Sequence, residues 1–288
     1  MAILKKTRLQ SAMEYLMTYG WAILAIAIVM VSLYSLGIFN TGNLQPTATT
    51  GSCQVVRTAA QTSLAGQCNN LIPKYVGRVG YSSLITVGTP MPFGGNFTYV
   101  IWIKYLSNKT VSQWPTILGA SAGQGSHEWS ALRTSNWGAS VFLEYGKYPT
   151  CDGTSYTNAG GVSISDGKWH QAVGTYNGSA LVLYVDGIKQ NSASQSGLCP
   201  GSTPYYVGYG YNGSISNVQV YNTSLDSAAV KALYQEGIGG VPIDVKHLVG
   251  WWPLNGNVND YSGNNNQGTP TNVNWNANWQ SGYAAPSS

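Results

Sequence analysis

The sequence predicts a mainly β protein, an antiparallel β-sandwich carried behind a long apolar N-terminal helix. Three observations lead there. From Gln10 to Phe39 the chain holds one acid, Glu14, near its start and is otherwise uncharged and mostly apolar. Beyond it, short runs rich in Val, Ile, Tyr, Trp and Thr recur at close intervals between Gly- and Asn-containing corners, as sandwich strands do. Only 8% of the 288 residues are charged, against 35 glycines and 20 tyrosines, a balance that suits an extracellular β module.

Residues 1–9 are basic, with Lys5, Lys6 and Arg8, and residues 10–39 form the predicted helix. At about 1.5 Å per residue the helix is long enough to cross a hydrocarbon core of about 30 Å. No comparable basic cluster follows it, which leaves the N-terminus cytoplasmic and the bulk of the chain outside. A secretory signal has a shorter apolar core and a small-x-small cleavage site, to which Ser35-Leu36-Gly37 is a weak match. Gly20, Ala22, Ala25, Ala27, Ser32, Ser35 and Gly37 permit close helix approach on more than one side. Head-to-tail association of like helices would generate an open filament, and a lone single-pass anchor is the other reading.

Residues 40–73 read as a spacer rich in Thr, Gly, Asn and Gln, with a weak strand signal over Ser52–Val56. Four cysteines, Cys53, Cys68, Cys151 and Cys199, allow three pairings. Cys53–Cys68 with Cys151–Cys199 keeps each bridge within one region, and disulfides persist outside the cell. Zinc is the rival, but no Cys-x-x-Cys or paired His accompanies them.

The module spans residues 74–288. Phe97–Lys104 is apolar nearly throughout, as a central strand buried on both faces would be, and weaker strands are predicted near Thr116–Ala120, Trp129–Thr134 and Ser140–Tyr145. Trp169–Tyr176 and Leu181–Val185 flank Asn177-Gly178, which tolerates the positive φ of a hairpin turn, and Asp186-Gly187 repeats the signal. Tyr205–Gly208 and Gly213–Tyr221 follow. Asp226 then caps a short helix with Val230, Leu233 and Tyr234 on one face, ended by Gly237.

Two resemblances attach to these residues. Arg8-Leu9-Gln10-Ser11-Ala12-Met13-Glu14-Tyr15-Leu16 resembles the class III signal of archaeal type IV pilin-like proteins, in which a basic leader precedes a Q-x-x-x-E start and an intact hydrophobic helix. The resemblance covers about residues 1–40 and implies a prepilin-type peptidase cutting between Leu9 and Gln10, like subunits in a filament, and a cell-surface location. Leu9 departs from the small residue usual before that cut. Glu14 would pair with a newly exposed amine at Gln10 or stand solvated at the headgroups.

Gly167-Lys168-Trp169-His170 through Tyr184-Val185-Asp186-Gly187, with Asn212–Asn222 and the Leu225–Gly237 helix, resembles the laminin-G-like, concanavalin A-like jelly-roll family. That implies two packed antiparallel sheets, often a calcium ion, and binding of glycans or proteins. Leu248–Asn264 looks like the opening of such a domain but sits near the chain's end, so residues 248–276 are expected to complete the sheet that begins near Tyr75, as in a circularly permuted module.

For chemistry, the acids beyond Glu14 include no E-x-D or E-x-x-x-E pair, which disfavours glycan hydrolysis. His127, His170 and His247 are dispersed, and His170 reads as structural rather than as a base. Asp260 and Asn264 either ligate calcium or form an Asx-turn. Trp251, Trp252, Tyr209 and Tyr211 are candidates to stack on sugars, with Tyr205, Tyr206, Trp275 and Trp279 behind them; core packing is the competing role for the Trp251-Trp252 pair. Asn96, Asn108, Asn177, Asn212 and Asn222 begin N-glycosylation sequons. Formal net charge is +4, three of it from the basic leader, so nucleic acid is not an expected partner. The sequence thus points to a pilin-like surface protein, without enzymatic activity, whose lectin-like head binds glycan or protein in adhesion. The alternatives are a membrane-anchored receptor that does not polymerise and, less favoured, a tethered hydrolase.

Overall fold

A computed structural model describes residue 17 and residues 19–32, 53–59, 61–66, 68, 71–87, 95–106, 115–119, 128–134, 140–147, 156–196 and 204–286. Two compact units, residues 1–47 and 48–288, divide the chain. In the first, residues 19–32 are helical and exposed. Their span is about 21 Å. Among the described residues no helix is long and apolar enough to cross a membrane. The rest of the predicted 10–39 segment, Leu9, Gln10 and Glu14 included, lies outside the described residues.

The second unit is built of strands. In chain order they are β1 (Cys53–Arg57), β2 (Thr62–Gly66), β3 (Val76–Val79), β4 (Leu84–Val87), β5 (Phe97–Tyr105), β6 (Thr116–Gly119), β7 (Glu128–Thr134), β8 (Ser140–Lys147) and β9 (Tyr156–Ser163). β10 (Trp169–Tyr176), β11 (Ala180–Val185), β12 (Ile188–Ser194), β13 (Tyr205–Tyr209) and β14 (Gly213–Tyr221) follow. The helix Ser227–Gln235 then precedes β15 (Leu248–Trp252), β16 (Gly268–Thr271) and β17 (Asn274–Asn276).

Among the described residues two large antiparallel sheets face each other. One is ordered β12-β11-β10-β5-β14-β3-β17, with β15 also on β14; the other is β16-β4-β13-β6-β7-β8-β9. β3 pairs with Gly213–Ile215 of β14 and β15 with Val218–Tyr221, so the two lie on different halves of one strand. Residues 248–276 therefore supply three strands: β15 and β17 to the first sheet, β16 to the second. Strand alternation sends Phe97, Tyr99, Ile101 and Ile103 of β5 inward, against Ile85, Val207, Leu118 and Leu132 of the facing sheet.

The outer face of the eight-stranded sheet is covered as well. Val100, Val173 and Tyr184 pack under Val230 and Leu233 of the helix and under Cys53, Val55 and Trp251, while Trp102 lies with Trp169, Trp279 and Ile238. This is why β5 is apolar nearly throughout and why β14, although it carries Ser214, Ser216, Asn217 and Gln219, is buried at every position: both faces are dry. The helix forms as predicted, with the Asp226 carboxylate accepting from Ala229 N and Gly237 at φ +78° closing it.

The stretch read as a spacer is instead part of the sandwich unit. β1 and β2 form a hairpin held on the sandwich: Val55 N donates to Tyr261 O, and the Arg57 guanidinium donates to the carbonyls of Ser262, Val245 and Leu248. Cys53 and Cys68 are bridged as expected. Cys151 and Cys199 lie outside the described residues.

Candidate functional site

With one sheet covered on both sides, the outward face of the seven-stranded sheet is, among the described residues, open at its β16–β4–β13 end, while Gly119 of β6 and Ala131 and Arg133 of β7 are buried. Inward-facing Ile85, Val207, Leu118 and Leu132 form one cross-strand row. The neighbouring row must point away from the core: Thr269, Thr86, Tyr206, Gly119 and Ala131 in register, continuing through the backbone positions of Glu144 and Asn158. Tyr206 and Thr86 are half-buried and Thr269 is exposed. Regular alternation would send Tyr209 inward with Tyr205 and Val207. Gly208 prevents this, because its φ of +75° reverses the strand locally while its own Cβ direction meets Val79 of the core. The Tyr209 ring accordingly lies 5.9 Å from that of Tyr206, and both remain half-buried. Next to Tyr209 in register come Thr116 and Arg133, both buried, and the half-buried Phe142, so the hydroxyls open beside the pair are those of Thr86 and Thr269. An aromatic pair beside hydroxyl groups can cover an apolar sugar face and bond its edge.

The other aromatic candidates have internal roles. Trp251 and Trp252 are 0% and 1% exposed, and as neighbours on one strand they point to opposite layers, so neither offers a face to a ligand. Trp251 Nε1 donates to Asn217 Oδ1, and Trp252 Nε1 donates to Asn266 O. Tyr205, Tyr211 and Trp279 are likewise buried, and Trp275 packs partly buried against the main core. Large aromatics in short strands satisfy either role in a one-dimensional sequence; the second row and the Gly208 reversal separate them only in three dimensions. Sequence reasoning gave Tyr206 a minor place and missed Thr86.

Asp260 holds the 255–267 loop together. Oδ1 accepts from Trp251 N and Ser262 N, and Oδ2 accepts from Ser262 Oγ and Asn266 N. Asn264 turns its Nδ2 to the carbonyls of Leu248 and Val249. With four protein donors on the carboxylate and an N–H of Asn264 directed at carbonyls, this arrangement does not fit a calcium ligand set at the pair. It is the Asx-turn arrangement instead, and among the described residues no group of three metal-ligating side chains occurs.

His170 lies between two carboxylates, with Nδ1 2.7 Å from Asp186 Oδ2 and Nε2 2.9 Å from Asp166 Oδ1. The hydrogen bond to Asp186 foremost, opposed by partial burial and aided by Asp166, raises the imidazole above its ordinary range. For Asp166, burial pushes upward, but the hydrogen bonds from His170 and Lys168 N and the charges of both residues hold the carboxyl below its usual value. Asp186 Oδ1 also accepts from Gln171 N. The cluster braces a corner.

A groove of about 480 Å³ opens elsewhere, bounded by Ile72, Glu236, Gly240, Trp279, Gln280 and Tyr283. Tyr283 Oη accepts from Ile238 N, and the Trp279 ring, 2% exposed, shows almost no face to it.

Of the sequon asparagines, Asn96, Asn177 and Asn222 are exposed, Asn212 is half-buried, and Asn108 lies outside the described residues.

Residues 79–231, just over half of the chain, match the family described as the concanavalin A-like lectin/glucanases superfamily. No curated protein matches the sequence. Among solved structures, a candidate carbohydrate-binding protein from Bacteroides ovatus ATCC 8483 is similar at 19% identity and a TM-score of 0.54, covering 77% of this chain and 65% of that one. The chain therefore spans slightly less than two thirds of that protein. Domain 4 of AbnA, an extracellular arabinanase from Geobacillus stearothermophilus, in complex with arabinotriose, is similar at 13% identity and a TM-score of 0.44, covering 63% of this chain and 81% of that one. The CBM40 of the Ruminococcus gnavus IT-sialidase, bound to α2,3-sialyllactose, is similar at 14% identity and 0.40, covering 52% and 97%.

Proposed function

Since the chain belongs to the concanavalin A-like lectin/glucanases superfamily, we propose that its sandwich is a carbohydrate-binding module that binds glycan without turning it over. The observation that carries this reading is the Tyr206–Tyr209 pair on the outward face of the seven-stranded sheet. The rings stack on a sugar's C–H face while Thr86 and Thr269 hydrogen-bond its hydroxyls. A binding role without hydrolysis draws support from the acids: among the described residues Asp166 and Asp186 are engaged by His170, Asp226 caps the helix, Asp244 bonds His247 and Asp260 holds its loop, while Glu236 lines the groove without a second carboxylate in that lining. A glycan array tests the reading. The wild type binds a defined set of saccharides, and Tyr206→Ala and Tyr209→Ala each weaken binding by about 3- to 10-fold. Binding that neither variant changes would remove this face as the site.

The apolar helix favours display at a surface. Its large side chains between Met17 and Val31 are 50% to 72% exposed, a load of apolar surface that lipid or like helices would cover. In this reading Glu14 and the Leu9–Gln10 bond serve processing and assembly, and the head acts in adhesion. N-terminal peptide mass spectrometry of the native protein decides it: a mature start at Gln10 supports the pilin-like route, and an intact Met1 in the membrane fraction supports the single anchor.

A further inference from the structure

We infer that Asn177 is a site of N-linked glycan attachment, singled out from the other described sequons by the way the β10–β11 connection is folded. The sequence pattern suggests a tight two-residue turn at Asn177-Gly178, but the strands end at Tyr176 and resume at Ala180, leaving Asn177, Gly178 and Ser179 as a projecting tip. All three are exposed. Asn177 N donates to Ala180 O, and the Asn177 side chain, rather than its backbone carbonyl, takes the return bond. Oδ1 accepts from Ser179 N at 3.0 Å, Ser179 Oγ at 3.0 Å and Ala180 N at 2.9 Å.

Two consequences follow for the carboxamide. Three donors draw charge onto Oδ1 and make the Nδ2 protons more acidic, the direction needed for one to leave as a new bond forms. Nδ2 itself makes no hydrogen bond to the described residues and faces solvent. The Ser179 hydroxyl, the second recognition element of an Asn-x-Ser sequon, is already aligned with the carboxamide.

The other described sequons lack one or more of these properties. Thr98 of the Asn96 sequon is 0% exposed, with Oγ1 donating to Thr223 O and accepting from Leu225 N. Ser214 of the Asn212 sequon is 3% exposed within β14. Asn222 is exposed, but no bond joins its carboxamide to the Ser224 hydroxyl, and its backbone N–H is tied to His247 O.

The donor is a polyprenyl-phosphate-linked oligosaccharide. Its anomeric C1–O(phosphate) bond breaks as C1–Nδ2 forms, the phosphate departs with the bonding pair, and the Nδ2 proton ends on an oxygen of that departing phosphate. The Cys53–Cys68 disulfide agrees with residence in an oxidising compartment, the side of the membrane where such transfer occurs. The inference is independent of whether the head binds sugar.

Mass spectrometry of the full chain from its native cells tests it. The tryptic peptide Trp169–Lys189 contains Asn177 as its one sequon. It should carry a glycan. Asn177→Gln and Ser179→Ala should each remove the whole added mass from that peptide in protein that still folds, as read by circular dichroism, whereas Asn212→Gln should leave the glycopeptide pattern unchanged. An unmodified Trp169–Lys189 peptide in the native protein would overturn the assignment, as would glycan at Asn96 or Asn212 with Asn177 bare.

Discussion

Asn217 shows how much a single side chain decides in this sandwich. It interrupts β14 at φ +46°, a conformation that asparagine tolerates better than most residues, and it is 3% exposed. Its Oδ1 accepts from Trp251 Nε1 and Gln219 Nε2, and its Nδ2 donates to Gly240 O. Tyr221 Oη donates onward to Gln219 Oε1, so one amide joins β14, β15 and the segment after the helix. Asn217→Ala strands buried donors and acceptors, and chemical denaturation should show a loss of about 2–4 kcal/mol. At His170 the pKa is raised in the folded state, so its stabilising contribution is complete below about pH 6.5, the unfolded value, and is lost as pH rises through the folded value. The melting temperature should therefore fall across that window in the wild type and not in His170→Gln; parallel profiles would refute the assignment. The sequence reads His170 as structural, and Asp166 lies four residues before it, but Asp186 comes from the β11–β12 corner 16 residues on, which sequence spacing does not bring to it.

The elements divide by how local their signals are. The Asp226-capped helix and the strands at 97–105, 169–176 and 213–221 were legible because capping, alternation and continuous apolar runs act over a few residues. β4, β9, β12, β16 and β17 were not, being short or polar and stabilised by their neighbours in the sheet rather than by their own composition. The β1–β2 hairpin was read as spacer for the same reason: its polar composition hides that Cys53 and Val55 complete the outer layer. Since its bridge closes a loop with a sequence separation of 15, the Cys53→Ser/Cys68→Ser pair should lose about 3 kcal/mol in denaturant unfolding, whereas a free spacer would lose nothing from the sandwich. The 255–267 loop rests on Asp260 and its four protein donors. A chelator should accordingly leave the melting temperature unchanged, and a drop would show that a bound cation supports the fold.

At the scale of the molecule, the arrangement that matters is asymmetric. The eight-stranded sheet is sealed on one side by its partner and on the other by the helix, the β1–β2 hairpin and the Trp251 and Trp279 segments. In the proposed reading the glycan lies on the outward rows of the seven-stranded sheet, where Gly208 brings Tyr209 beside Tyr206. That a sandwich would form was readable from strand spacing; which of 20 tyrosines would meet solvent was not, because exposure depends on which sheet the rest of the chain covers. A crystal structure of the protein with a saccharide identified on the array is the most direct test. The account predicts a sugar ring stacked on Tyr206 and Tyr209 with its hydroxyls toward Thr86 and Thr269; a saccharide seated instead in the groove beside Glu236 and Tyr283, with the tyrosine face bare, would contradict it.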